Sequence, residues 1–351
     1  MRRHGRKPPR APRSSKPAKP SGPSQAGAGL IGTLPLALRI QLQRIKPSTQ
    51  QQYVYALNHF AQWLQDTRQD QRVDAPLLDT QLQSFAEHLF RTANGGRRQT
   101  AACARLACIW LSPTLKHRLP KSLAATNQTG WYREAGRVVQ SHRPMPWALA
   151  CAVAHRLAAA GDGAMATAII IGFSGLLRVG EVAALQVGDV ADQRLVDARL
   201  PAGLVVTIQK AKTADEVKGE QQSVVIHDAA PAALLREYWA LRQAVARSTD
   251  SLFGMTEHEL ERKFGGATTA LGGSTRFTWH SLRHGCATLL FMSGLPVKDI
   301  CLRGRWRSLN GVERYVQTGR AVVAAHGVDP AVVAHGEAIA DALRRAATAA
   351  W

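Results

Sequence analysis

Only one region of this chain alternates with period two. The runs "LVVTIQKAKT" (204–213) and "QQSVVIHD" (221–228) flank the polar "ADEVKGE". Alternation sends successive side chains to opposite faces, as on a half-buried strand, and the polar interruption reads as the turn of a β-hairpin. The other apolar patterns recur every three to four residues, the spacing of helix faces. The expected fold class is therefore mainly α with a small β-sheet.

The helical pattern begins well inside the chain. Residues 1–25 hold 8 Lys/Arg, 6 prolines and no acidic residue. Such a segment buries too little apolar surface to fold, so 1–28 is read as a disordered basic arm. It is either a nucleic-acid arm or import signal, or a solubilising tail. From 29 to 137 the pattern is a small helical domain. In "STQQQYVYALNHFAQWLQD" Tyr53, Leu57, Phe60 and Leu64 share a face behind a Ser/Thr cap. "APLLDTQLQSFAEHLFRTA" ends before Gly95 and Gly96, and "RRQTAACARLACIWLSPTL" presents Arg97, Arg98 and Arg105 as candidate DNA contacts. Tyr53, Phe60, Trp63 and Trp110 are expected in the core. Pro144 and Pro146 mark a linker, 138–145, and a second domain runs over 146–351.

The charge points to a polyanion. With 45 Lys+Arg against 25 Asp+Glu the formal charge is +20, and +12 without the arm's 8 cations. Clustered cations gain affinity for nucleic acid by releasing counterions from phosphates. No apolar run approaches the ~20 residues of a transmembrane helix, and the basic N-terminus lacks a secretory apolar core. Cys103, Cys108, Cys151, Cys286 and Cys301 show no ligand or pairing spacing. Free thiols in a reducing, intracellular compartment are expected, with neither disulfide nor structural zinc.

Several weak signals then fall in one order. In "GLLRVGEVAALQ" Arg178 and Glu181 share a helix face directly after the apolar "AIIIGFSGLL". An exposed ion pair there would matter little, but an arginine at a buried end requires an anion, either Glu181 or a phosphate. In "TWHSLRHGCATLLFMSG" His280 and Arg283 share a face, and His284 is read as structural. Lys210 and Lys212 sit at the hairpin tip. Trp306 precedes Tyr315 by nine residues in "RGRWRSLNGVERYV". Each signal alone has a bland reading as surface or core.

Together, "RVGE", "KAKT", "HSLRH", "GRW" and "ERYV" resemble the motifs of the tyrosine recombinase, or phage integrase, family. Trp306 in the place where many members have histidine resembles the Cre-type branch. The resemblance implies a helical core-binding (SAM-like) domain over 29–137 and a mixed α/β catalytic domain over 146–351. It also implies roles. Arg178 and Arg283 clamp the non-bridging phosphate oxygens, His280 and Trp306 donate hydrogen bonds, and Tyr315 is the nucleophile. Lys212, preferred over Lys210 for its "AKT" context, is the general acid, and Glu181 orients Arg178 or His280. "GRW" departs from the usual pattern by placing Arg305 between Gly304 and the tryptophan, so Arg305 is an alternative to Trp306.

The implied activity is cleavage and rejoining of double-stranded DNA through a 3′-phosphotyrosine, without metal, ATP or other cofactor, by a homo-oligomer, a tetramer on DNA. The final helix either docks in trans between protomers or completes the domain core. A type IB topoisomerase and a catalytically decayed DNA-binding relative are the competing readings. The compartment, nucleoid-containing cytoplasm or nucleus, is open.

Overall fold

The computed structural model describes residues 45, 47–69, 75–112, 115, 130, 131, 134, 135, 142–195, 203–209, 222–271 and 277–349. The basic arm, the first half of the linker segment, Lys210 and Lys212 lie outside them. The chain divides into two units, 1–140 and 141–351.

In the first unit three helices, α1 (Pro47–Asp66), α2 (Ala75–Thr92) and α3 (Arg98–Leu111), pack around an aromatic centre. Phe60, Trp63 and Phe85 lie with ring centroids 5.2–6.1 Å apart. Aromatic pairs at such separations add to what area burial alone contributes. Tyr53 packs at the edge of this cluster, whereas Trp110 is only half-buried. Trp131 supplies the bulk instead: it is buried, and its indole N–H donates to the Gly95 carbonyl at 2.9 Å.

The second unit begins with α4 (Trp147–Ala159) and α5 (Gly163–Ser174). Asp162 caps α5 by accepting the Met165 N–H at 3.2 Å, and every residue from Met165 to Ser174 is buried. A helix apolar on all sides must be surrounded; α5 is packed by α4 and by later elements. After a turn comes α6 (Val179–Ala183). Three strands follow, β1 (Val190–Asp192), β2 (Leu204–Ile208) and β3 (Gln222–Ile226), in the antiparallel order β1-β2-β3. Leu204, Val206 and Ile208 turn inward, and Val206 pairs with both Val190 and Val224. The hairpin strands are those the alternation marks. The three-residue β1 is too short to show a period, and the sequence reading omits it.

Beyond the sheet lie α7 (Ala229–Gln243), α8 (Glu257–Thr269), α9 (Trp279–Met292), α10 (Val297–Arg303), α11 (Leu309–Glu313), α12 (Thr318–His326) and α13 (Pro330–Ala349). The fold is thus mainly helical with one small sheet. Helix α9 runs through the centre, burying Trp279, Leu282, Arg283, His284, Cys286 and Ala287. Gly285 allows close approach there, since a Cβ would collide with the Met145 carbonyl. The contact is fixed by the Met145 N–H donating to the Ser281 carbonyl at 2.9 Å. The final helix α13 packs on α4 and α7 of its own unit, with Ala340 buried; here it completes the domain core. No described helix is long and apolar enough to cross a membrane.

Candidate active site

Three turns and α9 meet around Tyr315. The first turn ends α5: Arg178 sits in extended backbone before α6, and its backbone N–H donates to Glu181 Oε2 at 2.9 Å. The same carboxylate takes the Arg178 guanidinium on Oε1 at 2.5 Å and that of Arg305 on Oε2 at 2.6 Å. Glu181 thus caps its own helix and bridges two arginines while 2% exposed. A buried carboxylate is tolerable only when so paired. The Arg178 side chain keeps 19% of its surface, so it is the accessible cation of the pair.

Arg283 is fully buried on α9. Its two terminal nitrogens donate to the carbonyls of Leu176 and Gly304, tying the Arg178 turn to the Trp306 turn. Its Cζ lies 4.3 Å from the Trp306 ring centroid and 5.6 Å from that of Tyr315. The expected two-pronged clamp therefore needs correction. This fork faces backbone carbonyls beneath two aromatic rings rather than solvent. Burial, then Arg178 and Arg305, push its pKa down, yet a guanidinium keeps its charge.

Tyr315 follows α11, which Ser308 caps by accepting the Gly311 N–H at 3.3 Å. Its hydroxyl lies 2.9 Å from His280 Nε2. His284 does more than fill space: its ring stacks on Tyr315 at 4.3 Å, and its Nδ1 is 3.3 Å from the Tyr315 carbonyl. Thr288 also donates to that carbonyl, at 3.2 Å. The nucleophile candidate is held at ring, backbone and hydroxyl. Burial, followed by the nearby His284, His142, Arg283 and Arg178, lowers His280 to about 4. Burial likewise takes His284 to about 4. Both rings are therefore neutral near pH 7.

Trp306 packs against Tyr315 at 4.8 Å, and its indole N–H is buried without a partner. Arg283 Nε and two Arg305 nitrogens, Nε and Nη1, are in the same condition. Buried donors without acceptors are costly, and four of them fall on three neighbouring residues. Gly304 lets the tryptophan fold back, because a Cβ there would overlap its ring.

The structure brings together Arg178, Glu181, His280, Arg283, Trp306 and Tyr315. Lys210 and Lys212 lie outside the described residues. Arg97, Arg98 and Arg105 lie at the start and along one side of α3 in the other unit. Arg97 is exposed, whereas Arg105 is half-buried, with its pKa lowered by burial and partly restored by Asp79. One site residue is absent from the sequence reading, and another has a different part in it. His142, inside the segment read as linker, lies edge-on to His280 at 5.0 Å, and its Nδ1 is 2.9 Å from Thr278 Oγ1. Arg305 was considered only as an alternative to Trp306, not as the second partner of Glu181. No described group of three or more His, Cys, Asp or Glu side chains could hold a metal ion.

An accessible and a buried arginine, a histidine and a tyrosine thus converge on this fold. Residues 153–320 match the phage integrase family model. The matched stretch belongs to that family, the tyrosine site-specific recombinases. No curated protein matches the chain in sequence. In fold the chain is similar to the XerH site-specific recombinase bound to a palindromic difH substrate (TM-score 0.55, 16% identity, 79% of this chain and 79% of that chain). It is also similar to the Tn1549 transposon integrase in complex with transposon right-end DNA (0.53, 11%, 85% and 97%). A third likeness is to a lambda integrase tetramer bound to a Holliday junction (0.51, 16%, 84% and 85%).

Proposed function

We propose that this recombinase cleaves and rejoins double-stranded DNA through a covalent 3′-phosphotyrosine on Tyr315. The observation that carries this reading is the Tyr315 hydroxyl 2.9 Å from a neutral His280, beside buried arginines and unpartnered donors. Tyr315 Oη attacks the scissile phosphorus, and His280 Nε2 takes its proton. The bond to the 5′-oxygen breaks, and Lys212 protonates that leaving group, with Lys210 as the alternative donor.

The transition state gathers charge on the non-bridging oxygens. Arg178 hydrogen-bonds them, the Trp306 N–H adds a donor, and Arg283 contributes its charge from beneath. These cations supply the stabilisation that metal ions give in other phosphoryl transfers. The free energy of the cleaved bond is kept in the phosphotyrosine, so rejoining needs no ATP.

Loading also prepares the base. His280 is held near 4 by burial and by neighbouring positive or ionisable groups, and a bound phosphodiester opposes that field, raising its proton affinity. Arg97, Arg98 and Arg105 are proposed to hold DNA backbone from the helical unit. Exchange between two sites requires further protomers, and a tetramer on DNA fits that requirement. The test is a duplex with a nick beside the scissile phosphate, which traps the adduct. Wild type forms a covalent product in EDTA and Tyr315→Phe does not. Duplex binding by wild type without any adduct sinks the reading in favour of a DNA-binding protein.

A further inference from the structure

Helix α10 ends in a recurrent closure. The Arg305 N–H donates to the Leu302 carbonyl at 3.0 Å and the Trp306 N–H to the Cys301 carbonyl at 3.0 Å. This pair of bonds puts the residue after the cap in the left-handed region, where glycine is the usual choice. Here that residue is Arg305, at φ +56°, and the glycine stands one place earlier. A side chain at such an angle is strained, and strain of this kind persists where the surroundings or a function demand it.

The described surroundings offer one compensation, the ion pair with Glu181. The Arg305 side chain is 7% exposed, and its pKa is pulled down by burial and by Arg178. One nitrogen holds Glu181 Oε2; Nε and Nη1 are buried with nothing to donate to. Glu181 is already held by Arg178 through both its side chain and its backbone. As an ion pair alone, Arg305 would be redundant and costly.

The charges around Glu181 make a different sense of it. Arg178, Arg283 and Arg305 face one carboxylate, with His280 and His284 neutral near pH 7. Among the described residues two positive charges are left over. A phosphodiester under attack by a tyrosinate carries two negative ones, one of them offset by the proton that His280 has taken. Resting on the phosphotyrosine reading above, we propose that Arg305 is a third arginine of the reaction centre. It is a positioning residue: it pins Glu181 Oε2 beside the Arg178 backbone N–H and adds positive charge for the transition state.

The experiment compares Arg305→Gly, Arg305→Gln and Arg305→Lys with wild type on the trapping duplex. It measures the single-turnover adduct rate at saturating DNA, duplex affinity and thermal midpoint. Glycine removes the backbone strain and one buried charge. The expected result is adduct formation slowed about 10- to 100-fold in the glycine and glutamine variants, the range for partners that orient reacting groups. Duplex affinity is unchanged, the glycine variant melts at or above wild type, and lysine recovers part of the rate. A merely structural arginine would lower rate and melting temperature together. That outcome, or wild-type rates in both neutral variants, overturns the proposal. If wild type itself yields no adduct, the phosphotyrosine reading falls and takes this inference with it; a wild-type adduct keeps that reading whatever Arg305 does.

Discussion

The aromatic rings of the two units have different companions. In the helical unit Phe60, Trp63 and Phe85 touch each other and apolar neighbours, and their work is burial. In the catalytic unit Trp306 and Tyr315 also pack at core-like distances, but onto a guanidinium and two imidazoles. The first cluster is mainly apolar, with His88 at its edge 6.3 Å from Trp63. The second keeps buried donors without acceptors. Stability is concentrated in the one and readiness for an anion in the other.

The sharpest way to break this contrast is Tyr315→Phe. The ring contacts survive and only the hydroxyl goes, so adduct formation is abolished in the trapping assay while the melting temperature stays near wild type. Arg283→Gln comes next, because it removes charge from the site and orphans the Leu176 and Gly304 carbonyls. Both activity and stability fall, with about 3–5 kcal/mol lost to urea unfolding, as when one side of a buried charged contact is removed. Trp63→Ala should behave oppositely to Tyr315→Phe. It costs about 3–5 kcal/mol of stability for a large core aromatic, and the adduct rate per folded molecule is unchanged at low temperature.

Acid gives the smallest and most graded effect. His280 and His284 titrate at about 4 when folded and near 6.5 when unfolded. Below pH ~6.5 the unfolded chain binds protons that the folded chain refuses, so stability is full above that pH and is lost as pH falls toward 4. Melting temperatures from pH 8 to 4 should show this decline, and His284→Asn should flatten it. A profile identical to wild type in that variant would show that His284 is not among the groups responsible.

Much of this was legible in the chain because periodicity is local. The hairpin strands and α1 to α3 follow from alternation or from apolar positions three and four apart. The site residues were legible only as a set, through an ordered resemblance, since Arg178, His280 and Tyr315 are joined by the fold and not by spacing. What escaped had no local signature. His142 lies in a proline-rich stretch that reads as linker, and the Met145–Ser281 and His142–Thr278 bonds bring it to His280. Arg305 could be recognised as strained only once its backbone angle was known. The direction of the Arg283 fork depended on two carbonyls over 100 and 21 residues away in the chain.

That fork has a consequence for how such a protein can lose its trade. A descendant no longer selected for cutting DNA could discard the Tyr315 hydroxyl at once, since the fold does not lean on it. Arg283 is different, because it staples two turns of the domain together and its loss would endanger the whole molecule. Relics of this chain should therefore keep the arginine long after the tyrosine has drifted, and between the two it is the tyrosine whose presence speaks for a working enzyme.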